Sequence, residues 1–305
     1  MKGIVVGDLH VCDVSPLKRI DNFLEAQFLK IEKIRKIAEE LETDYVFLLG
    51  DIFDKARVDA WILNELAFNF KEFPCRIYSL AGNHDLQGCR DGLNGTSLGV
   101  LFTTDVLTKM EGDFEILGIP FRAINHTREQ TLKLYETHAP RIMLSHNMLT
   151  PQVAPFEHLY SGDVLEAIKD CFIFAGDFHY PFEKFNSVTR SRIINPGVLN
   201  RTSISEKDID PSIIYFEATP ADLVVSYRKI SLGAPSGDKV FDVALHEELK
   251  SNELDLKNFI DSIAKTQFES QDLEKLVQEV GAENKVANNV IIEAIKRIKV
   301  AKQLS

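Results

Sequence analysis

The sequence predicts an α/β fold with a small helical appendage toward its C-terminal end. Three observations predict it. Short apolar runs of strand character alternate with longer segments whose apolar residues recur every three to four positions, the pattern of sheet strands joined by helices. Composition changes after Gly233-Ala234-Pro235-Ser236-Gly237, and beyond position 246 there is no proline and a single glycine, Gly281. Five strand-like runs also end in the same class of residue: Asp, His or Asn.

The elements follow in order. Residues 2–6 read as a strand, with Asp8-Leu9-His10 just past its end. Phe23, Phe28, Ile31, Ile34, Ile37, Ala38 and Leu41 form the stripe of an amphipathic helix. A strand over 45–49 runs into Gly50-Asp51-Ile52-Phe53-Asp54, and a helix is expected from 59 to 70. Pro74 stops it, and a strand over 76–80 leads into Ala81-Gly82-Asn83-His84-Asp85. Residues 87–99 are glycine-rich and polar and read as an irregular loop. Strands are expected over 100–102 and 114–119, and a helix over 127–137. Further strands end in Ser145-His146-Asn147 and Gly176-Asp177-Phe178-His179. Ile193-Ile194 leads into Asn195-Pro196-Gly197, and the runs 213–217 and 223–230 read as antiparallel strands closing the sheet. The glycine-proline segment 233–237 reads as a linker, which divides the chain into 1–235 and a helical region 236–305. There Phe259, Ile263, Leu273, Leu276, Val277 and Val280 make one apolar stripe, and Val286, Val290, Ala294 and Ile298 another. Ser270 reads as an N-cap and Gly281 as a C-cap.

A chain of 305 residues has room for one large domain plus such an appendage. With 45% hydrophobic and 27% charged residues it has the composition of a soluble globular protein. Its apolar runs are too short to span a bilayer, and its N-terminal residues lack the pattern of a signal peptide. Four scattered cysteines without a C-x-x-C pair suit reduced thiols, so a cytoplasmic location is expected. The net charge of −11 argues against coating nucleic acid by overall attraction. It leaves room for a nuclease whose carboxylates gather around cations.

In open α/β sheets the carboxyl ends of the strands share one edge. Asp8, His10, Asp51, Asn83, His146, Asp177 and His179 are therefore expected to meet there. Imidazole, carboxylate and amide oxygen without thiolate suit manganese, iron or zinc. Seven donors are too many for one four-coordinate ion with an open position and suit two ions sharing a bridging carboxylate. Such pairs clamp the attacking and leaving oxygens of a phosphoryl displacement. Asp51 is the natural bridge, since it comes alone from its strand end. Each of these residues taken singly could equally be a polar turn or core residue.

The series D-x-H, GDIFD, GNHD, an isolated His and G-x-x-H resembles the motif series of the calcineurin-like metallophosphoesterases, over most of residues 1–200. Ser15-Pro16-Leu17-Lys18-Arg19 leading to Asp21, and Asn195-Pro196-Gly197-Val198-Leu199-Asn200-Arg201, are similar to stretches of the SbcD branch, DNA-repair nucleases that work with the ATPase SbcC. Phage-encoded relatives are similarly compact. The resemblance implies a sandwich of mixed sheets flanked by helices and two divalent ions, manganese or magnesium. The host cytoplasm is implied if the chain is phage-encoded. It implies that Asp8, His10 and His179 hold one ion, that Asp51 bridges, and that Asn83, His146 and Asp177 hold the other. His84 would stabilise the transition state or protonate the leaving oxygen, with Asp85 orienting it. Asp177 departs from the usual Gly-His-x-His. It either binds as a harder ligand, favouring manganese or magnesium, or faces away. Asp54 either approaches the scissile phosphate or caps a helix, and Arg201 either touches a phosphate or forms a structural bridge. Phe178, Tyr180 and Phe182 either line a nucleotide groove or pack.

The function implied is a DNA nuclease, in the first instance an exonuclease, partnered by an SbcC-like ABC-type ATPase through the C-terminal helices. Those helices would otherwise pack on their own domain or on a second copy in a homodimer. A small-molecule phosphodiesterase or phosphatase without a partner, and a scaffold with a silent site, are the alternatives.

Overall fold

The computed structural model describes residues 1–90, 92–110, 116–119, 142–219, 224–245, 273–283 and 286–303, with single positions 129, 132, 133, 135 and 257. The strands are β1 (Lys2–Val6), β2 (Tyr45–Leu48), β3 (Arg76–Ser79), β4 (Thr108–Lys109), β5 (Ile116–Ile119), β6 (Ile142–Ser145), β7 (Leu149–Thr150), β8 (Leu159–Tyr160), β9 (Phe172–Ala175), β10 (Phe182–Asn186), β11 (Ser191–Asn195), β12 (Ser212–Ala218) and β13 (Val224–Ser231). The helices are α1 (Phe23–Glu40), α2 (Ala60–Lys71), α3 (Asn83–Leu86), α4 (Ser97–Thr103), α5 (Ser161–Ala167), α6 (Leu273–Glu283) and α7 (Asn288–Gln303).

One sheet has the order β13-β12-β1-β2-β3-β4 and a second β10-β11-β9-β6-β5. Strands β1 to β4 are parallel, and β12 and β13 extend the β1 edge antiparallel, as the sequence predicts. Strands β5, β6, β9 and β11 are parallel to one another, with β10 antiparallel at the edge.

Side chains alternate between faces along each strand, and this sorts the core into layers. Val5, Phe47, Leu49 and Leu80 of the first sheet meet Ile142, Leu144, Phe174 and Ile194 of the second. On the outer face of the first sheet, Ile4, Val6, Val46, Leu48 and Ile77 pack on Ile31, Ile34 and Ala38 of α1 and Ile62, Leu66 and Phe70 of α2. On the outer face of the second, Met143, Ile173, Ala175 and Ile193 pack on Val164 and Leu165 of α5. Strands covered on both faces become continuous apolar runs, so length and flanking residues mark them better than alternation does. Asn22 caps α1 by accepting from the Glu25 amide.

Several expectations change. Residues 100–102 are helical, inside α4, because the Thr96 side chain accepts from the Gly99 amide and caps a helix that buries Leu98 and Leu101. Gly281 does not end α6; it is buried within the helix, which continues to Glu283. The segment 233–237 is no free linker. Its Pro235 carbonyl accepts from Arg201, and Phe241 lies beyond it with its ring under the Arg19 guanidinium. The chain accordingly forms compact units of 1–241 and 242–305. Most of the expected helix over 127–137, together with Phe259, Ile263 and Ser270, lies outside the described residues. In the second unit Val277 of α6 packs on Val290 and Ala294 of α7, and Lys299 pairs with Glu274 at 3.1 Å. The four cysteines are free thiols. Among the described residues no helix is long and apolar enough to cross a membrane.

Candidate metal centre

The parallel strands β1, β2, β3, β6 and β9 all release their chains toward one rim. The turns there are tight, and three of the donor residues, His10 (φ 48°), Asp51 (φ 47°) and Asp177 (φ 72°), are themselves left-handed. Asp and His are among the few side-chain-bearing residues that tolerate this conformation, and such outliers cluster at functional sites. The loops are stitched together: the amides of Leu9 and His10 both donate to the Asp51 carbonyl, and the Leu199 amide donates to that of Asp8. Gly82 is required beside this loop, since a Cβ there would collide with the Asp51 carboxylate.

All seven expected ligands converge. Donor atoms of Asp8, His10 and His179 lie within 4.8 Å of one another, and so do those of Asp51, His146 and Asp177. Asn83 Oδ1 is 3.0 Å from His146 Nε2, and Asp51 Oδ2 is 3.4 Å from that nitrogen and 3.8 Å from His10 Nε2. Asp51 therefore sits between the groups. Asp177 faces the cluster rather than away from it, and its amide donates to Asp8 at 3.0 Å.

The protonation pattern fits cations. His146 Nδ1 donates to the Leu49 carbonyl at 2.8 Å, which leaves Nε2 directed at two oxygens, Asn83 Oδ1 and Asp51 Oδ2. His179 Nδ1 donates to Glu206 Oε1 at 2.5 Å, and its Nε2 confronts His10 Nε2 at 3.1 Å. His10 Nδ1 is buried without a hydrogen-bond partner. Lone pairs and carboxylates facing one another at these separations are what divalent ions would satisfy. In the protein alone, burial lowers the His146 pKa but Asp51 and Asp8 outweigh it and raise it to about 10. Burial likewise opposes ionisation of Asp51, yet His146 brings it down to about 2. Burial raises Asp8 to about 6 and lowers His10 to about 3.

The remaining expected site residues fall differently. His84 is half-buried at the rim. Its amide donates to Asp51 Oδ1 at 2.8 Å and its Nδ1 to the Asp54 carbonyl at 2.9 Å. The Asp54 carbonyl thus orients His84, the task expected of Asp85. Asp85 is wholly buried and accepts from the amides of Ile52, Phe53 and Gly82, tying the GDIF loop to the GNHD turn. Asp54 caps no helix, since α2 begins at Ala60; its carboxylate lies 3.8 Å from both His10 Nδ1 and His84 Nδ1. Arg201 is buried and donates to the carbonyls of Lys207 and Pro235, so it is a structural clamp rather than a phosphate ligand.

Sequence reasoning missed Glu206. It is buried, accepts from the amides of Thr202 and Ser203, and grips His179. The only signal was Ser203-x-x-Glu206, a capping-box spacing that opens a single turn of 3-10 helix.

A two-sheet sandwich with this donor set defines a metal-dependent phosphoester hydrolase. The profile of the Calcineurin-like phosphoesterase family matches residues 1–181, and the chain belongs to that family. Members use divalent metals. No curated protein matches the chain. Solved structures with a similar fold include an archaeal phosphodiesterase (14% identity, 76% of this chain and 100% of that one, TM-score 0.42). Others are a dimetal phosphatase from Danio rerio (13%, 76% and 98%, 0.45) and a 5'-nucleotidase precursor from Thermus thermophilus (12%, 85% and 59%, 0.43).

Proposed function

We propose that this phosphoesterase is a DNA nuclease, acting from DNA ends, and that it serves as the nuclease subunit of a DNA repair or recombination complex with an SbcC-like ATPase. The observation that carries the hydrolytic part is the convergence of seven donors on one rim, with Asp51 between two groups. DNA is favoured as substrate by the two SbcD-like stretches. They meet in the fold, where Arg19 donates to the Arg201 carbonyl and pairs with Asp21.

Asp8, His10 and His179 would hold one ion, and Asn83, His146 and Asp177 the other, with Asp51 shared. The oxygen-rich donor set favours manganese or magnesium. The ions would supply Lewis-acid stabilisation of the phosphoryl oxygens and an acidified water. In the net reaction a water oxygen bonds to phosphorus as the bond to the leaving sugar oxygen breaks. His84, with Nδ1 fixed on the Asp54 carbonyl, keeps Nε2 to carry the proton to that leaving oxygen. Exposed Ile292 and Val300 on α7 belong to the face proposed to dock on the ATPase.

The test is a manganese-supplemented assay on linear DNA and on a chromogenic phosphodiester. Degradation of DNA from its ends is expected. Turnover of the small ester alone would assign a small-molecule phosphodiesterase, and inactivity with every metal a silent scaffold.

A further inference from the structure

We propose that Tyr180 and Phe178 form a stacking shelf for an unpaired nucleobase next to the scissile phosphate. The inference rests on the DNA reading above.

Tyr180 directly follows His179 and is 42% exposed. Its hydroxyl donates to the Ser205 carbonyl at 3.2 Å, while His179 Nδ1 donates to the neighbouring Glu206. The two side chains therefore end on adjacent residues of one short turn, which fixes the phenol one residue along the chain from a donor of the metal cluster. Behind it, the Phe178 ring lies 5.7 Å from that of Tyr180 and 5.9 Å from that of Phe182, which is partly buried against the core on the second sheet. The rings form a run from the core to solvent, restrained at both ends. A ring already fixed in place loses little conformational freedom when a ligand stacks on it.

The ligand class follows from position and charge. A phosphodiester bound at the cluster carries its nearest base past His179. A base inside a duplex is stacked on both faces, whereas an unpaired base has a face to offer. Stacking tolerates any base, since all present a π surface. It also needs no positive charge, which matters in a chain whose net charge of −11 repels phosphates overall.

The experiment uses the manganese-loaded full chain and two oligonucleotides with unpaired ends. One is intact, and the other has an abasic residue beside the scissile phosphate. The wild type should show a lower KM for the intact strand. Tyr180→Leu should raise that KM about tenfold or more and abolish the preference for the intact over the abasic strand. Phe178→Leu, which keeps an apolar contact to Phe182, should do the same more weakly. Tyr180→Phe, which keeps the ring and loses the anchoring hydroxyl, should retain the preference. An equal loss on both strands in Tyr180→Leu, or Tyr180→Phe as damaging as Tyr180→Leu, would show a structural role and overturn the shelf. A wild type that cuts a chromogenic ester but neither oligonucleotide would instead overturn the DNA reading, and the shelf with it.

Discussion

His146 and His179 offer the same imidazole to one cluster, yet their settings differ. His146 is 0% exposed and rests its Nδ1 on a backbone carbonyl, that of Leu49. His179 has a side chain 28% exposed and rests its Nδ1 on a carboxylate, that of Glu206. A carbonyl fixes the tautomer of a ligand and adds no net charge, whereas a carboxylate also makes the imidazole more basic. Burial disfavours charge on both His179 and Glu206, but their bond outweighs it, raising the pKa of the histidine and lowering that of the glutamate. The His146 imidazole is thus enclosed. The His179 imidazole reaches the surface and is tuned by a residue outside the expected ligand set.

The largest effect is expected at His84, which is not among the seven donors. His84→Ala should lower kcat about 10²- to 10⁴-fold while elemental analysis finds the metal content unchanged. Loss of metal from that variant would make His84 a ligand. His146→Ala removes the partner of a buried carboxylate. In urea titrations of metal-free protein it should cost about 3–5 kcal/mol, and His179→Ala less, because Glu206 keeps the amides of Thr202 and Ser203. Equal costs would erase the contrast between the two histidines.

Glu206→Gln should weaken one of two calorimetric manganese-binding events about 10- to 100-fold and spare the other. Weakening of both would show a single coupled centre. The smallest effect is on pH dependence. His146 is protonated in the metal-free protein up to about pH 10, and binding must displace that proton. Its protonation supports the metal-free fold below the ordinary histidine pKa, and that support fades as pH rises through about 10. Manganese affinity should therefore rise about tenfold per pH unit from neutrality upward. It should change more steeply below about pH 6, where Asp8 also takes up a proton. Titrations in buffers of different ionisation enthalpy count the protons released, and none released near pH 7.5 would remove His146 from the ligand set.

Where polar residues follow a strand, the sequence placed them well. Asp8, Asp51, Asn83 and His146 come directly off apolar runs, and the shared polarity of parallel strands carries them to one rim. Errors arose where one residue type serves two purposes. Asp51 and Asp85 are both acidic turn residues, and only the backbone path decides that one joins the cluster while the other bonds three amides. Val100 to Phe102 suit a strand or a helix, and the Thr96 cap decided the helix.

The sequence by itself determined the α/β class, most of the longer strands and the polar residues that meet at the rim, because periodicity and strand-end chemistry are local properties. Tertiary structure alone decided that Glu206 holds His179, that Arg201 and Asp85 are structural, and that the Tyr180 hydroxyl reaches the Ser205 carbonyl. These depend on contacts between segments far apart in the chain, and no local pattern specifies which distant atom will fill a buried hydrogen bond.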